Sequence, residues 1–523
     1  MQIIVPMSGY GRRFLSSGYT QPKYMLDVGY GKSVIESLVN TFPKGSDILF
    51  ILNTNDYQNT SIVSALQALA PYAKVVQIEP HSDGPVKTLL DASVHIKPDQ
   101  EVIVSYCDFV PVWDCQKMLA NARNLSADCS VATYRGYHPH HKKDSDRYGY
   151  CRTIDNSMTM VEYREKDCFT QTPQQENASC GLYYFKNGSL LLEYSSLVLS
   201  SKKRINGEMY ISMVAMEMID NKLNVIVDDI LYMLQLGTPK DYETVRYIIT
   251  SITSLLHSAS KQLDLVRGLP CVLPMAGRGS RFTDLGITTP KQFLPIFNTI
   301  ACSLSLANLP ISEIHIGVLP KHLTAANKLF PDASSLTVIN QVLNGQALTC
   351  KEILMRTNIQ GPFIITPCDS AISFNNNQLN NHLETSDWDI LVMTCKPNPA
   401  TSGNENSYSW VFYDSECNVK DVLCKQYPPS EYINKFMYGH IDGTFFFRSP
   451  SLYFDLISDL IKQGRQSHLS EYYVDELVKI AVEQGAKVFS VETSAYICFG
   501  TPDDYHQLCY YYNSLAALGA LTK

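Results

Sequence analysis

No window of this chain approaches 18 uninterrupted apolar residues, so a membrane-spanning helix is not expected. Nor is there a basic run: the formal net charge is −8. Without a positive stripe to meet a phosphate backbone, nucleic acid is not expected as the main partner. The 15 cysteines include no CxxC pair. They read as reduced residues in the apolar runs of a cytoplasmic protein, not as a disulfide or zinc framework. The opening residues, MQIIVPM, lack a charged segment followed by an apolar one, so a secretory signal is not expected. No low-complexity segment breaks the chain, and no serine, histidine and acid are spaced as a nucleophilic triad. His138, His140 and His141 lie in a polar, proline-broken loop with no cysteine nearby, which reads as solvated rather than metal-binding.

What the chain does contain, it contains twice. PMSGYGRRFLSSGYTQPK runs from Pro6 to Lys23, and PMAGRGSRFTDLGITTPK from Pro274 to Lys291. Gly277 follows Gly9 by 268 residues, and the closing Gly500-Thr-Pro follows Gly237-Thr-Pro by 263. A repeat of this span implies one ancestral domain used twice. The expected domains are residues 1–256 and 269–523, joined by a polar linker at 257–268. A chain of 523 residues, 45% hydrophobic and 18% charged, has ample apolar material for two cores.

In each copy an apolar run (Ile3-Ile4-Val5; Cys271-Val272-Leu273) feeds a small-residue loop and then a helix-forming segment. Gly9 and Gly11, and Gly277 and Gly279, leave room for backbone N–H groups to approach phosphate oxygens. Arg13 and Lys23, with Arg281 and Lys291, add a bidentate fork and a point charge suited to a triphosphate. Strands at Ile48–Leu52, Lys74–Ile78, Glu101–Ser105 and Ser130–Tyr134 alternate with helices at Val34–Thr41, Ser61–Leu69 and Val86–His95. That rhythm predicts an α/β fold with a mostly parallel sheet and helices on both faces. Ligands of such sheets bind beyond the carboxyl ends of the strands, where the glycine loop and Asp108 both fall. Shorter antiparallel strands are expected from Tyr148 to Phe185. Helices follow at Leu190–Leu199, Tyr210–Ile219 and Tyr242 to about Leu256. The second half repeats the order, with Asp369 after the strand Ile364–Thr366.

These motifs resemble the sugar-phosphate nucleotidyltransferases (nucleoside-diphosphate-sugar pyrophosphorylases), as two tandem copies over essentially the whole chain. The resemblance implies GT-A-like, Rossmann-type domains. It also implies an enzyme that joins a nucleoside triphosphate to a sugar 1-phosphate, releases pyrophosphate and uses Mg²⁺. Its product would be an activated sugar for surface glycan synthesis. On the same ground Met7, Gly9, Gly11, Glu79 and Gly84, and Gly277, Gly279, Asn340 and Gly345, are implied in nucleotide binding. Asp108 and Asp369 match the Mg²⁺ ligand. Lys166, in Glu162-Tyr-Arg-Glu-Lys166, and Lys425 match the lysine that meets the sugar phosphate, with Glu165 beside the first. Gly181 and Gly443, with Glu208 and Glu471, match sugar-contacting positions. The loop ending at Gly84 resembles those of pyrimidine users.

The sequence departs from the family where a second metal-binding aspartate is usual: Gln235 and Cys498 stand there. Asp228 or Asp229 is an alternative ligand in the first half. Cys424 replaces Glu165 in the second, a change that a decaying site would show. Two alternatives stay open on the sequence: one half is a regulatory nucleotide or sugar-phosphate domain, or the acceptor is a non-sugar phosphomonoester such as phosphocholine. Homo-oligomer formation is compatible with either. A glycosyltransferase is disfavoured, because neither Cys107-Asp108-Phe109 nor Cys368-Asp369-Ser370 forms a DxD. Helix capping is the rival role for Asp108 and for Glu208.

Overall fold

A computed structural model of the chain describes residues 1–70, 72–140, 148–155, 157–260, 268–385, 387–399, 401–402 and 404–521. Its contacts divide it into two compact units. The first comprises Met1–Ile249 with Tyr510–Lys523, and the second Thr250–Cys509. Part of the expected linker, residues 261–267, lies outside the described residues. The helix before it, Pro239–Ser260, runs four residues into the expected linker. Among the described residues no helix is long and apolar enough to cross a membrane.

The first unit carries β1 (Gln2–Met7), β2 (Asp47–Asn53), β3 (Lys74–Ile78), β4 (Val102–Ser105), β5 (Phe109–Val112) and β6 (Cys129–Tyr134). It continues with β7 (Gly149–Thr153), β8 (Met160–Glu165), β9 (Asn177–Phe185), β10 (Val225–Asp229) and β11 (Tyr232–Gln235). The main sheet has the order β10-β6-β9-β4-β1-β2-β3, with β7 and β8 attached to β9. β1 runs parallel to both β2 and β4, whereas β9 is antiparallel to β4 and β6. Period-two alternation loads both faces. Ile3, Phe50 and Ile103 point into one apolar cluster, shared with Leu38 and Leu66. Ile4, Leu49 and Val104 point into the other, shared with Leu89, Leu191 and Val214. Strands buried on both sides are read as continuous apolar runs, as here.

The second unit carries β12 (Leu269–Met275), β13 (Pro295–Ile296), β14 (Thr299–Ile300), β15 (Ile311–Val318), β16 (Ser335–Val338) and β17 (Phe363–Ile365). After them come β18 (Ser370–Phe374), β19 (Ile390–Cys395), β20 (Trp410–Tyr413), β21 (Val419–Leu423), β22 (Met437–Phe447) and β23 (Val488–Cys498). Its sheet order is β16-β15-β12-β17-β22-β19-β23-β18, with β20 and β21 attached to β22. The plan repeats that of the first unit. β12 is parallel to β17, as β1 is to β4, and long antiparallel β22 takes the place of β9.

Thr238 and Thr501 each stand immediately before a helix, Pro239–Ser260 and Pro502–Ala517. Thr238 Oγ1 accepts the Asp241 N–H at 3.2 Å and donates to its Oδ2 at 2.7 Å, and Thr501 repeats this with Asp504 at 3.2 and 2.6 Å. Thr238→Ala is expected to cost about 1 kcal/mol in equilibrium denaturation, the usual loss of an N-terminal cap.

The reading of His138 and His140 as solvated is overturned, because the loop is packed. His138 is 1% exposed, and its Nδ1 accepts the His140 N–H at 3.1 Å. That leaves Nε2 to donate to the Met233 carbonyl at 3.1 Å. His140 Nδ1 lies 3.1 Å from Asp241 Oδ1. His141 lies outside the described residues.

Candidate active site

Because β1 and β4 are parallel neighbours, the loop after Met7 and the turn carrying Asp108 leave the sheet side by side. Met7 itself is a core residue, 3% exposed. Lys23 opens a short 3₁₀ turn after Pro22 and reaches across, its Nζ 2.8 Å from Asp108 Oδ2. The second unit repeats the pair, with Lys291 Nζ 2.6 Å from Asp369 Oδ2. Asp108 caps no helix, since the segment after it is strand β5. Burial works against the charges of Lys23, Lys291 and Asp369, and in each case the partner outweighs it. Lys23 is raised above the usual lysine range by Asp108, against desolvation and the nearby Arg13 charge. Desolvation opposes ionisation of Asp369, but Lys291, with Lys425 and Arg281 adding to it, holds its carboxyl below the usual range. Three cations expected at the second site therefore act on one carboxylate.

On the expected nucleotide side, contacts gather around the glycine loop. Tyr10 Oη donates to the Pro80 carbonyl at 3.1 Å, which ties the loop to the Glu79–Gly84 segment. Thr54 Oγ1 reaches Glu79 Oε1 at 3.4 Å. In the second unit Ala276 packs with Leu319, Ile339 and Leu343 beneath Asn340–Gly345. Gly84 has φ +92°, and a Cβ there would lie 2.7 Å from both the N and the O of Met209. Gly345 repeats this against Tyr472. Each glycine thus lets the expected nucleobase loop press on the backbone just after Glu208 or Glu471. Glu208 shares a pair of backbone bonds with Ile205, three residues before the first residue of the helix Ile211–Asp220, whose cap position is Tyr210.

At the expected acceptor end both lysines hold positive φ, 62° for Lys166 and 49° for Lys425, an uncommon state for a residue with a Cβ. Lys166 Nζ stands 5.7 Å from the Tyr210 ring centre and 3.7 Å from Glu165 Oε1. Lys425 Nζ stands 5.3 Å from the Tyr473 ring centre and donates to the Ser407 carbonyl at 2.9 Å. Burial, followed by the charges of Glu208 and Glu165, pushes Tyr210 up to about 12, and Arg13 opposes them. Arg13, Lys166, Glu165 and Glu208 therefore surround one tyrosine. Gly181 and Gly443 back onto Tyr106 and Pro367, directly before the Cys-Asp pairs. The tyrosines are members of the site that sequence reasoning missed. Their signal was their position, two residues after Glu208 and Glu471.

A divalent cation fits beside Asp108 as one carboxylate with phosphate oxygens and water, the usual donor set of Mg²⁺. Gln235 adjoins it: a Cβ at Gly237 would be 3.2 Å from both Asp108 Oδ2 and the Gln235 amide. Asp228 accepts from Asn121 at 2.7 Å, and Asp229 from Thr133 and Arg135, each at 3.3 Å, so both alternative ligands are engaged elsewhere. In the second unit the Cys498 thiol adjoins Asp369. Burial, with the Asp504 and Asp369 charges, pushes it up to about 12. A protonated thiol offers little to a hard cation. Among the described residues no group of three or more His, Cys, Asp or Glu could hold a metal unaided. Phosphate oxygens must complete either set.

Residues 3–251 match the family model described as nucleotidyl transferase. No curated protein matches the chain. Among similar solved structures is a nucleoside-diphosphate-sugar pyrophosphorylase from Vibrio cholerae RC9. It is 22% identical over 47% of this chain and 99% of that one, with a TM-score of 0.38. A UDP-glucose pyrophosphorylase complexed with UDP-glucose is 17% identical over 47% and 96%, at 0.37. The inositol-1-phosphate CTP transferase from T. maritima is 15% identical over 48% and 96%, at 0.36.

Proposed function

Residues 3–251 make the first half of the chain a member of the nucleotidyl transferase family, and from that premise we propose that it couples a nucleoside triphosphate to a sugar 1-phosphate. An oxygen of the phosphomonoester attacks the α-phosphorus. The bond from that phosphorus to the bridging oxygen breaks, and pyrophosphate leaves. The observation that carries this reading is the lysine–aspartate pair at the end of parallel strands, with Arg13 acting on it and the same pair built again in the second unit.

The residues divide the work by position. Arg13 and Lys23 bind the triphosphate and offset charge on the leaving pyrophosphate. Lys166 orients the phosphomonoester, with Tyr210 and Glu165 holding the ammonium in place. Glu208 is suited to accept hydrogen bonds from sugar hydroxyls. Asp108 would hold Mg²⁺, whose chemistry when bound is to offset phosphate charge. With nucleotide bound, the Lys23 ammonium gains a second anionic partner, which frees Asp108 for the cation. The Glu79–Gly84 loop favours a pyrimidine triphosphate. The 15 free cysteines, most of them buried, support a reducing, cytoplasmic setting. The product suits a transferase that builds surface glycan.

The test is a pyrophosphate-release screen of the full chain against UTP, CTP, dTTP, ATP and GTP, each with glucose 1-phosphate and other phosphomonoesters. Release that needs both substrates and a divalent cation is expected, with a pyrimidine triphosphate preferred. Absence of release from every pair would falsify the reading.

A further inference from the structure

The second unit lacks the glutamate that lies beside Lys166 in the first, since Cys424 occupies its place. Sheet register shows what replaced it. In the first unit Tyr150 pairs with Arg164 and with Ala178, and Gly149 pairs with Glu165. In the second, Trp410 pairs with Leu423 and with His440. One step further along both strands, Ser409 corresponds to Gly149 and Cys424 to Glu165. By the same register Val422 corresponds to Tyr163. On the helix side Ser212 stands four residues after Glu208, and Asp475 four after Glu471.

Four positions have therefore changed together. In the first unit Glu165 Oε2 accepts from Ser212 Oγ at 2.7 Å and from Tyr163 Oη at 3.2 Å. The Tyr163 hydroxyl fills the space that a side chain at Gly149 would need. In the second unit a valine stands in place of that tyrosine, the space is free, and Ser409 fills it. Its hydroxyl donates to Asp475 Oδ2 and accepts the Lys425 N–H at 3.2 Å. The carboxylate has moved from strand to helix, and the hydroxyl that donates to it from helix and strand β8 to Ser409, the residue before β20. A buried carboxylate with a hydroxyl donor near the acceptor lysine persists. Random decay of a site would leave an orphaned serine or glutamate, whereas each loss here is matched by a gain in contact with it.

We propose that the second unit is a working transfer site, and that Asp475, held by Ser409, is the positioning residue that sets Lys425 there as Glu165 sets Lys166. The inference rests on the transfer reading above and extends it to a second activity in the same chain. Asp475 acts through Ser409 on the Lys425 backbone, so its removal should weaken capture of the phosphomonoester and spare the triphosphate.

The experiment uses the full chain with Asp108→Ala, which silences the first site, in the pyrophosphate-release screen with glucose 1-phosphate and phosphocholine as separate acceptors. Turnover is expected to persist. Adding Asp475→Ser is expected to raise KM for the phosphomonoester about tenfold or more with KM for the triphosphate unchanged. Adding Cys424→Glu to that chain restores the strand carboxylate and helix hydroxyl of the first unit and should recover most of the loss. Three results would overturn the inference. One is no turnover with Asp108→Ala in a chain that keeps it with Asp369→Ala. Another is equal damage to both KM values, which marks a structural role. The third is a Cys424→Glu/Asp475→Ser chain no better than Asp475→Ser alone. No turnover in the parent chain would instead sink the transfer reading beneath it.

Discussion

Lys23→Ala is expected to cut kcat/KM for pyrophosphate release at the first site by roughly 10²–10³, the usual loss when one preorganised charge-stabilising donor is removed. To read that site alone, the chain should also carry Asp369→Ala. Stability is expected to change little. Lys23 and Asp108 are partly buried, at 26% and 29% exposure, but water still reaches both, and such a pair contributes about 1 kcal/mol after solvent screening. The two readouts therefore separate: activity falls by orders of magnitude while the thermal midpoint stays close to the parent's. Lys23→Arg should recover only part of the loss, because a planar fork does not reproduce a point charge in the same space. A chain that loses activity and melts much earlier would instead assign Lys23 a structural role.

Gly345→Ala is expected to damage folding of the second unit more than any surface change. Its φ is +116°, and a Cβ would stand 2.6 Å from the Tyr472 nitrogen and nearer still to the Tyr472 carbonyl oxygen. Those atoms are backbone, fixed by the Tyr472 N–H bond to Asn344 O at 3.0 Å and the Ala347 N–H bond to Tyr472 O at 3.2 Å. They cannot rotate away as a side-chain tip would. The strained backbone and the clash together should cost about 3 kcal/mol or more. Hydrogen exchange should report it as faster exchange at Gln346–Leu354 and Val474–Glu483. Unchanged protection there would contradict the packing described.

Much of the site was legible because it depends on spacing along the chain. The glycine loops, Asp108 and Asp369 at strand ends, and the Thr-Pro helix starts are local patterns, and the duplication made each visible twice. The strands of the parallel sheet were legible for a related reason: both faces are buried, so each strand is a short apolar run. Partners that depend on register across the sheet were not legible. Cys424 looked like a loss because its replacement, Asp475, lies about 50 residues further along the chain and meets it only through folding. Glu208 looked equally suited to a cap, but its helix begins at Ile211, with Tyr210 in the cap position. The histidines looked solvated because their loop is polar. Its packing is set by Met233, Asp241 and Tyr510, which no local pattern brings to it. The choice between Gln235 and Asp228 beside Asp108 turned on which strand ends nearest, and a sequence does not print that.

The most direct test of the account follows the phosphorus. Full chain with Mg²⁺ and its preferred substrates is supplied with triphosphate labelled with ³²P at the α position in one reaction and at the γ position in another. Nucleotidyl transfer predicts α label in the phosphomonoester conjugate and γ label in pyrophosphate. Appearance of γ label on the acceptor, or of orthophosphate in place of pyrophosphate, would contradict it.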